Sequence, residues 1–105
     1  MSIQCRYFFP EGYIEKQEHL NVDYSYQECV AVEYVDSVFD GCDFTRVNFQ
    51  ESTFFGCIFI SCRFKGIELD GTTFRECKFN LCGGPMINED FAEMFIDCEI
   101  DGEVQ

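Results

Sequence analysis

The sequence has little of what metal sites, membrane spans and secreted proteins need. Its 105 residues include one histidine, His19, which we expect to be a surface or cap residue, and no CxxC pair, so a zinc site is not expected. No apolar run approaches the roughly 20 residues that cross a bilayer, and the N-terminal residues lack the apolar segment of a secretion signal. We therefore expect a protein of the cytoplasm that does not enter a membrane.

Catalytic motifs are missing as well. The chain has no Gly-rich phosphate loop, no Ser nucleophile elbow and no metal-ligand spacing. Glu89, Asp90 and Glu93 cluster, but their spacing matches no calcium loop, and we interpret them as a solvated acidic face. The prediction is a protein that is not an enzyme, with no catalytic residue, metal or cofactor.

Bases are scarce, and their distribution matters more than their number. The net charge is −13 with a sequence pI near 4.1. Residues 41–80 hold five acids and five bases, residues 1–40 hold eight acids and two bases, and residues 81–105 hold seven acids and no base. The two flanks therefore carry all of the net charge.

What the sequence does have is one large apolar residue at every fifth position. The series comprises Phe39, Phe44, Phe49, Phe54, Phe59, Phe64, Leu69, Phe74 and Phe79. A period of five would spread these side chains around an α-helix, and it would alternate them between the two faces of a continuous strand. They stay on one face only if the chain turns a corner every five residues.

The neighbours of these residues support that interpretation. Two positions earlier stand small or medium residues, which in extended chain point the same way as the large one. Two positions later stand Gly41, Gly56, Gly66 and Gly71, as expected for corners. Cysteines recur at twenty residues (Cys42, Cys62 and Cys82, and also Cys57 and Cys77), which favours four quintets per coil and two internal cysteine ladders.

Segments such as CDFTR, CRFKG and CKFNL resemble the pentapeptide-repeat proteins. This resemblance implies an all-β fold, a right-handed four-sided parallel β-helix. We expect a single domain over residues 1–105. It would have an N-terminal β cap or hairpin at 1–21, repeats at 22–82 that are clearest at 37–82, and a capping segment at 83–105.

Several details of this organisation stay open. Residues up to 36 either continue the β-helix or form a separate hairpin on its end. In the capping segment, residues 88–95 predict a short helix, and residues 97–104 predict a final strand with an acidic outer row. Cysteines in the small-residue positions are expected to be free, whereas the states of Cys5, Cys29 and Cys98 are undecided.

Four apolar residues occupy positions that should face water. Val38 lies twenty residues before Ile58, so the two should stack in one row, with Phe55 and Ile60 nearby. Either the N-terminal segment covers this surface or two copies of the chain pair through it as a homodimer.

The resemblance also implies a function, because several family members are acidic mimics of DNA that occupy the DNA-binding channel of gyrase. We expect this chain to bind a basic DNA-binding surface of a protein complex, and not nucleic acid itself. Its short length and neutral repeats favour a small phage-type inhibitor of a CRISPR effector or restriction enzyme, acting in the bacterial cytoplasm. Gyrase binding and a structural or adaptor role are the alternatives. The phosphate-mimic candidates are Glu28, Glu33, Asp36, Asp40, Glu89, Asp90, Glu93, Asp97, Glu99, Asp101 and Glu103.

Overall fold

The five-residue period folds into pairs of very short strands joined by corners. The structure is a computed structural model that describes residues 12–82, 94–101 and the strand at 103–104. Most strands have three residues, and the other two residues of each quintet form the corner that follows. They are β1 (Tyr13–Glu15), β2 (Glu18–Leu20), β3 (Glu33–Val35), β4 (Val38–Asp40), β5 (Thr53–Phe55), β6 (Ile58–Ile60), β7 (Thr73–Arg75), β8 (Lys78–Asn80), β9 (Phe95–Ile96), β10 (Glu99–Ile100) and β11 (Glu103–Val104).

Strands twenty residues apart pair in parallel, and this builds two sides of a solenoid. The first side is a sheet in the order β1-β3-β5-β7-β9, and the second has the order β11-β10-β8-β6-β4-β2. The other two sides are joined by single bridges, Asp23 to Asp43 to Arg63 on one and Glu28 to Asn48 to Glu68 on the other. The expected parallel solenoid is thereby confirmed, and it has about four coils.

The core consists of side-chain columns that run along the solenoid. Phe39, Phe59 and Phe79 stack with ring centroids 5.2 and 4.8 Å apart. A second column runs from Tyr34 through Phe54 to Phe74 at 4.2 and 4.6 Å. Offset stacking at this spacing stabilises aromatic pairs by about 1 kcal/mol beyond their buried area, so these columns add to the cohesion that the backbone hydrogen bonds give the coils.

The small inward residues do more than fill space, because they donate hydrogen bonds to the preceding coil. The hydroxyl of Ser52 donates to the carbonyl of Cys29 at 2.7 Å, and that of Thr72 donates to the carbonyl of Phe49 at 2.6 Å. The Cys62 thiol contacts the carbonyl of Phe39 in the same way at 3.1 Å. This position therefore selects Cys, Ser or Thr as a short donor as well as a small side chain.

Every corner from residue 16 to residue 81 has a left-handed backbone, yet most of these corners are not glycine. Gly41 has φ of +69°, as the sequence indicates, but Ala31 has +58° and Leu81 has +59°. A non-glycine residue in this conformation costs on the order of 1 kcal/mol. Glycine thus marks a minority of the corners, and the coil geometry imposes the rest.

The described part of the N-terminal flank belongs to the solenoid. Strands β1 and β2 pair with β3 and β4, so the coils begin by Tyr13 rather than at residue 22. The expected cap over residues 1–21 is wrong for 13–20, where the backbone already follows the coil. Residues 1–11 lie outside the described residues.

The C-terminal flank differs from the expected helix and single strand. The predicted helix at 88–95 falls mostly outside the described residues, but its last residue, Phe95, lies in β9 with its ring stacked on Phe74 at 5.1 Å. The predicted strand at 97–104 is instead two strands, β10 and β11, paired antiparallel. Its acidic row is broken because Asp97 and Asp101 take left-handed conformations.

Candidate binding surfaces

The predicted phosphate mimics are not gathered in one place. Of those whose side chains are described, all but Glu28 and Asp101 lie on the two paired sheets or at the corner between them. Glu33 is on the first sheet, Asp40 on the second and Asp36 on the corner, all in one coil. Glu89, Asp90 and Glu93 lie outside the described residues, and Glu103 begins β11.

The C-terminal acids have internal partners. The Oδ1 atom of Asp101 accepts a hydrogen bond from the backbone N–H of Leu81 at 2.8 Å. Glu99 forms an ion pair with Lys78, with 3.9 Å between Oε2 and Nζ. These two carboxylates stabilise the last coil, and they are therefore weaker candidates for contact with a partner.

The acidic surface is concentrated in the first two coils, residues 12–51. These coils hold nine carboxylates against two cations, Lys16 and Arg46, a balance of −7. The remaining side chains described, in residues 52–82 and 94–101, hold six carboxylates against four cations, a balance of −2. The nine are Glu15, Glu18, Asp23, Glu28, Glu33, Asp36, Asp40, Asp43 and Glu51.

Asp23 and Asp43 are surface acids that sequence reasoning missed. They stack directly on one side of the solenoid, and each accepts hydrogen bonds from the backbone N–H and hydroxyl two residues on, in Ser25 and Thr45. The hydroxyl of Ser25, and then its backbone N–H, lower the pKa of Asp23. The signal was present as two D-x-[ST] segments, which form side-chain-capped turns.

The apolar surface predicted from the sequence forms a patch at the corner between the two sheets. Val38 and Ile58 are paired in register on the second sheet, which confirms their expected stacking. Val35 and Phe55 are paired in the same way on the first sheet, on the other side of the corner. Phe55 is 40% exposed, whereas Val38, Ile58 and Ile60 are half-buried. We refer to Val35, Val38, Phe55, Ile58 and Ile60 as the apolar corner.

A shallow groove of about 640 Å³ lies at the opposite corner of the solenoid. Arg46 lies over the exposed ring of Tyr26, with 6.0 Å from the guanidinium carbon to the ring centroid. Gln27 is only 4% exposed, and its Oε1 atom has no hydrogen-bond partner. Glu28, Asn48 and Glu68 complete the wall, so the groove mixes charges of both signs.

His19 is an inward residue rather than the expected surface or cap residue. It occupies the position that Phe39 fills in the next coil, and the two rings lie 5.2 Å apart. Its Nδ1 atom contacts the hydroxyl of Tyr24, and its Nε2 atom lies 3.1 Å from Oε1 of Gln17. Burial lowers the pKa of His19, so the ring stays neutral at physiological pH.

The cysteines form the two ladders expected from their spacing. Cys42, Cys57, Cys62, Cys77, Cys82 and Cys98 are free and buried, whereas Cys29 is disulfide-bonded. Hydrogen bonding to Cys57 and Cys98, together with burial, raises the pKa of the Cys77 thiol. No group of three or more potential metal ligands occurs among the described residues.

The fold and its surfaces define a class of protein, a short four-sided parallel β-solenoid that presents charged and apolar side chains on its outside. Residues 35–82 match the sequence model for pentapeptide repeats, in nine copies. The chain belongs to the pentapeptide-repeat family, and the resemblance is confirmed. No curated protein sequence matches the chain. None of the described residues forms a helix long and apolar enough to span a membrane.

Proposed function

We propose that this chain is a non-enzymatic DNA mimic that binds and blocks the basic DNA-binding surface of a protein complex. The observation that carries the proposal is the balance of −7 over residues 12–51. Two coils at about 4.8 Å each span about 9.6 Å along the solenoid, or about one net negative charge per 1.4 Å. Duplex DNA carries about one charge per 1.7 Å of its axis.

The dimensions of the molecule are consistent with this role. Its principal extents are 34 × 26 × 24 Å, so it is a short block rather than a long rod. One turn of duplex DNA is about 34–36 Å long, so the whole molecule is comparable in size to one turn, while its two acidic coils cover about 9.6 Å of such a length. A scaffold with stacked aromatic columns also holds its carboxylates without much loss of backbone freedom on binding.

The target class that we favour is a bacterial defence complex, either a CRISPR effector or a restriction enzyme, which a phage-type inhibitor would block in the cytoplasm. Both classes hold DNA in basic channels that attract a compact anion. Gyrase is the alternative target. It is less favoured because the third coil, residues 52–71, is neutral, with Glu68 and Asp70 balanced by Arg63 and Lys65.

Displacement of DNA from purified complexes tests the proposal. The chain is titrated against labelled duplex DNA bound to a CRISPR effector, a restriction enzyme or gyrase, at about 0.1 M salt. We expect displacement from one of the defence complexes and no retardation of DNA by the chain alone. Failure to displace DNA from any of the three would count against mimicry.

Two matched triple variants locate the activity on the surface. One neutralises acids of the second coil, Glu33→Gln, Asp36→Asn and Asp40→Asn. The other removes the same number of charges further along the chain, with Glu68→Gln, Asp70→Asn and Glu76→Gln. If the first two coils mimic DNA, the first variant should displace DNA at least about tenfold less potently than the parent, and the second variant should lose less of this potency.

A second candidate function is an adaptor that binds a protein through the apolar corner, which the 40% exposure of Phe55 favours. An adaptor would lose its partner in an Ile58→Asp variant and keep it when the acids of the second coil are neutralised. A DNA mimic that acts as a monomer would show the reverse pattern. The two variants therefore separate the two functions.

A further inference from the structure

The groove at the corner opposite the apolar corner has the size and the lining of a small-molecule site. Its volume of about 640 Å³ lies within the range of about 300–1,000 Å³ that is usual for such sites. One wall is the corner itself, with Tyr26 and Arg46, and the other is the row formed by Glu28, Asn48 and Glu68. The two walls present different chemistry to a ligand.

The corner wall is flat and aromatic. The ring of Tyr26 is 56% exposed, and the guanidinium carbon of Arg46 lies 6.0 Å from the ring centroid. Aromatic rings and guanidinium planes are the surfaces on which proteins stack unpaired nucleobases. This wall therefore favours a planar conjugated ligand over an aliphatic one.

The other wall places a hydrogen-bond donor beside a pair of acceptors. Asn48 and Glu68 are paired in register, so their outward side chains lie about 4.8 Å apart along the solenoid. The Oδ1 atom of Asn48 accepts a hydrogen bond from the backbone N–H of Gln50 at 2.9 Å, which leaves the Nδ2 group as the outward donor. Within the described part of the chain, the carboxylate of Glu68 has no hydrogen bond or ion pair.

From this arrangement we infer that the groove binds a guanine base through its Watson–Crick edge. That edge presents the O6 acceptor, the N1–H donor and the 2-amino donor in one row. The O6 atom would accept from Nδ2 of Asn48, and the two donors would bond to the two carboxylate oxygens of Glu68. Guanine is selected because it alone among the four bases has two donors side by side.

Gln27 is independent evidence that the groove lacks a partner. It is the one buried residue among the described residues of the lining, at 4% exposed, and its Oε1 atom accepts no hydrogen bond. Buried polar atoms without a partner are uncommon in folded proteins, and each calls for an explanation. A nucleoside carries ribose hydroxyl groups, so it brings donors of the kind that this atom lacks.

The charges of the groove disfavour other classes of ligand. Its lining has two carboxylates and one guanidinium, a balance of −1, which repels a phosphate ion or another small anion. An apolar molecule would take the carboxylates out of water without replacing their hydrogen bonds. A neutral base rich in donors avoids both costs. Duplex DNA is not such a ligand, because base pairing covers the edge that Asn48 and Glu68 would contact.

Titration of the isotope-labelled full chain with guanosine, followed by NMR, tests the inference. We expect saturable shifts of the Asn48 side-chain amide and of the Tyr26 backbone amide at nucleoside concentrations up to about 1 mM. Inosine lacks the 2-amino group and adenosine has a single donor on this edge, so both should bind at least tenfold more weakly. Equal binding of the three nucleosides, or no saturable shift with any of them, would overturn the inference.

Two matched variants locate the contact on the protein. Glu68→Gln replaces one acceptor oxygen by a donor, and we expect it to bind guanosine at least tenfold more weakly than the parent. Asp70→Asn removes the same charge from the same coil at a residue that does not line the groove, and it should bind like the parent. If both variants lost affinity equally, net charge rather than base recognition would govern binding, and the inference would be wrong.

A third variant tests the stacking wall. Tyr26→Gly removes the ring, and because glycine suits the left-handed φ of +64° at this corner, the coil should keep its fold. We expect guanosine binding to weaken at least about fivefold, with an unchanged circular dichroism spectrum. A folded variant that binds guanosine like the parent would contradict the inference.

The source of the base is distinguished by two short single strands of adenine, one of which carries a central guanine. A guanine strand that binds more tightly than guanosine would support the same recognition in a single strand, whereas equal binding of the two strands would count against it. The inference does not rest on DNA mimicry, since guanosine binding and DNA displacement are measured separately on the same chain.

Discussion

The first two coils and the later coils share one backbone but differ in charge, core and corners. Residues 12–51 carry a balance of −7 and have one glycine among their corners, Gly41, whereas the described later coils carry −2 and have Gly56, Gly66 and Gly71. The inward columns begin with Ile14, His19, Tyr24 and Cys29, and Tyr34, Phe39, Phe44 and Phe49 follow them in the second coil. The difference indicates a division of labour, in which the later coils stabilise the fold and the first two present charge at some cost in stability.

The largest expected effect is on the phenylalanine columns, which both regions share. Phe59→Ala removes a ring that is 0% exposed and stacked on both sides. Such a cavity should lower the free energy of unfolding by about 3–5 kcal/mol, measured by urea denaturation. Phe55→Ala on the surface is the matched control and should cost less than about 1 kcal/mol in the monomer. Equal losses would contradict the columnar core.

The next effect concerns the hydrogen bonds that join the second coil to the third. In Ser52→Ala the hydroxyl that donates to the carbonyl of Cys29, and accepts from the N–H of Val32, is lost. Because both backbone groups are buried, we expect a loss of about 1–3 kcal/mol in the free energy of unfolding. The exposed Ser61→Ala should change it by less than about 0.5 kcal/mol, and a similar result for both would show that the hydroxyl is only a space filler.

Removing negative charge should change the stability of the protein in opposite directions in the two regions. The triple variant Glu33→Gln, Asp36→Asn and Asp40→Asn relieves repulsion among nine acids, so we expect a gain of about 1 kcal/mol in stability at low salt. The gain should shrink at about 0.5 M salt, where charges are screened. In the last coil, Glu99→Gln should instead lose a few tenths of a kcal/mol with its ion pair to Lys78. Thermal melts at both salt concentrations decide whether the signs differ.

Stability should rise when glycine replaces a non-glycine corner, and it should fall when alanine replaces a glycine corner. Ala31→Gly relieves a φ of +58°, and after the added freedom of the unfolded chain is subtracted we expect a gain of about 0.5 kcal/mol. Gly41→Ala should destabilise the protein, because a residue with a Cβ atom adopts the left-handed φ of +69° only at a cost. Chemical denaturation measures the free energy of unfolding of both variants. If the two variants changed it in the same direction, the strain assigned to the non-glycine corners would be contradicted.

The smallest effect is the pH dependence that His19 adds to the first coil. Burial lowers the pKa of His19 in the folded chain below its ordinary value of about 6.5. The stability from the neutral ring is therefore present above about pH 6.5, and it is lost as pH falls through the lower folded pKa. Relative to His19→Phe, the parent should lose less than about 1 kcal/mol of stability between pH 7 and pH 5, since solvent reaches half of the ring. Parallel stability curves would contradict this.

The sequence predicted the coil and its columns because a side-chain period records which residues share a face. Phe39, Phe59 and Phe79 are twenty residues apart, so a coil of four quintets places them in one column. The non-glycine corners could not be predicted, since Ala31 and Leu81 have no preference for a left-handed backbone, and only pairing between coils imposes it. His19 was misplaced because a polar ring in an apolar position looks like an interruption of the repeat.

The candidate surfaces were predicted less completely than the fold. The acids of the second coil and the stacking of Val38 on Ile58 followed from the period. That Asp101 and Glu99 have internal partners depends on the turn after β10, which the sequence did not indicate.

The most direct test of the central claim is the salt dependence of binding to a complex from which the chain displaces DNA. The account predicts that the logarithm of the affinity falls steeply with the logarithm of salt concentration, as it does for DNA. This slope should flatten when Glu33, Asp36 and Asp40 are neutralised, and change little when Glu68, Asp70 and Glu76 are. An affinity that is the same at low and high salt, or a slope that both triple variants leave unchanged, would contradict the account.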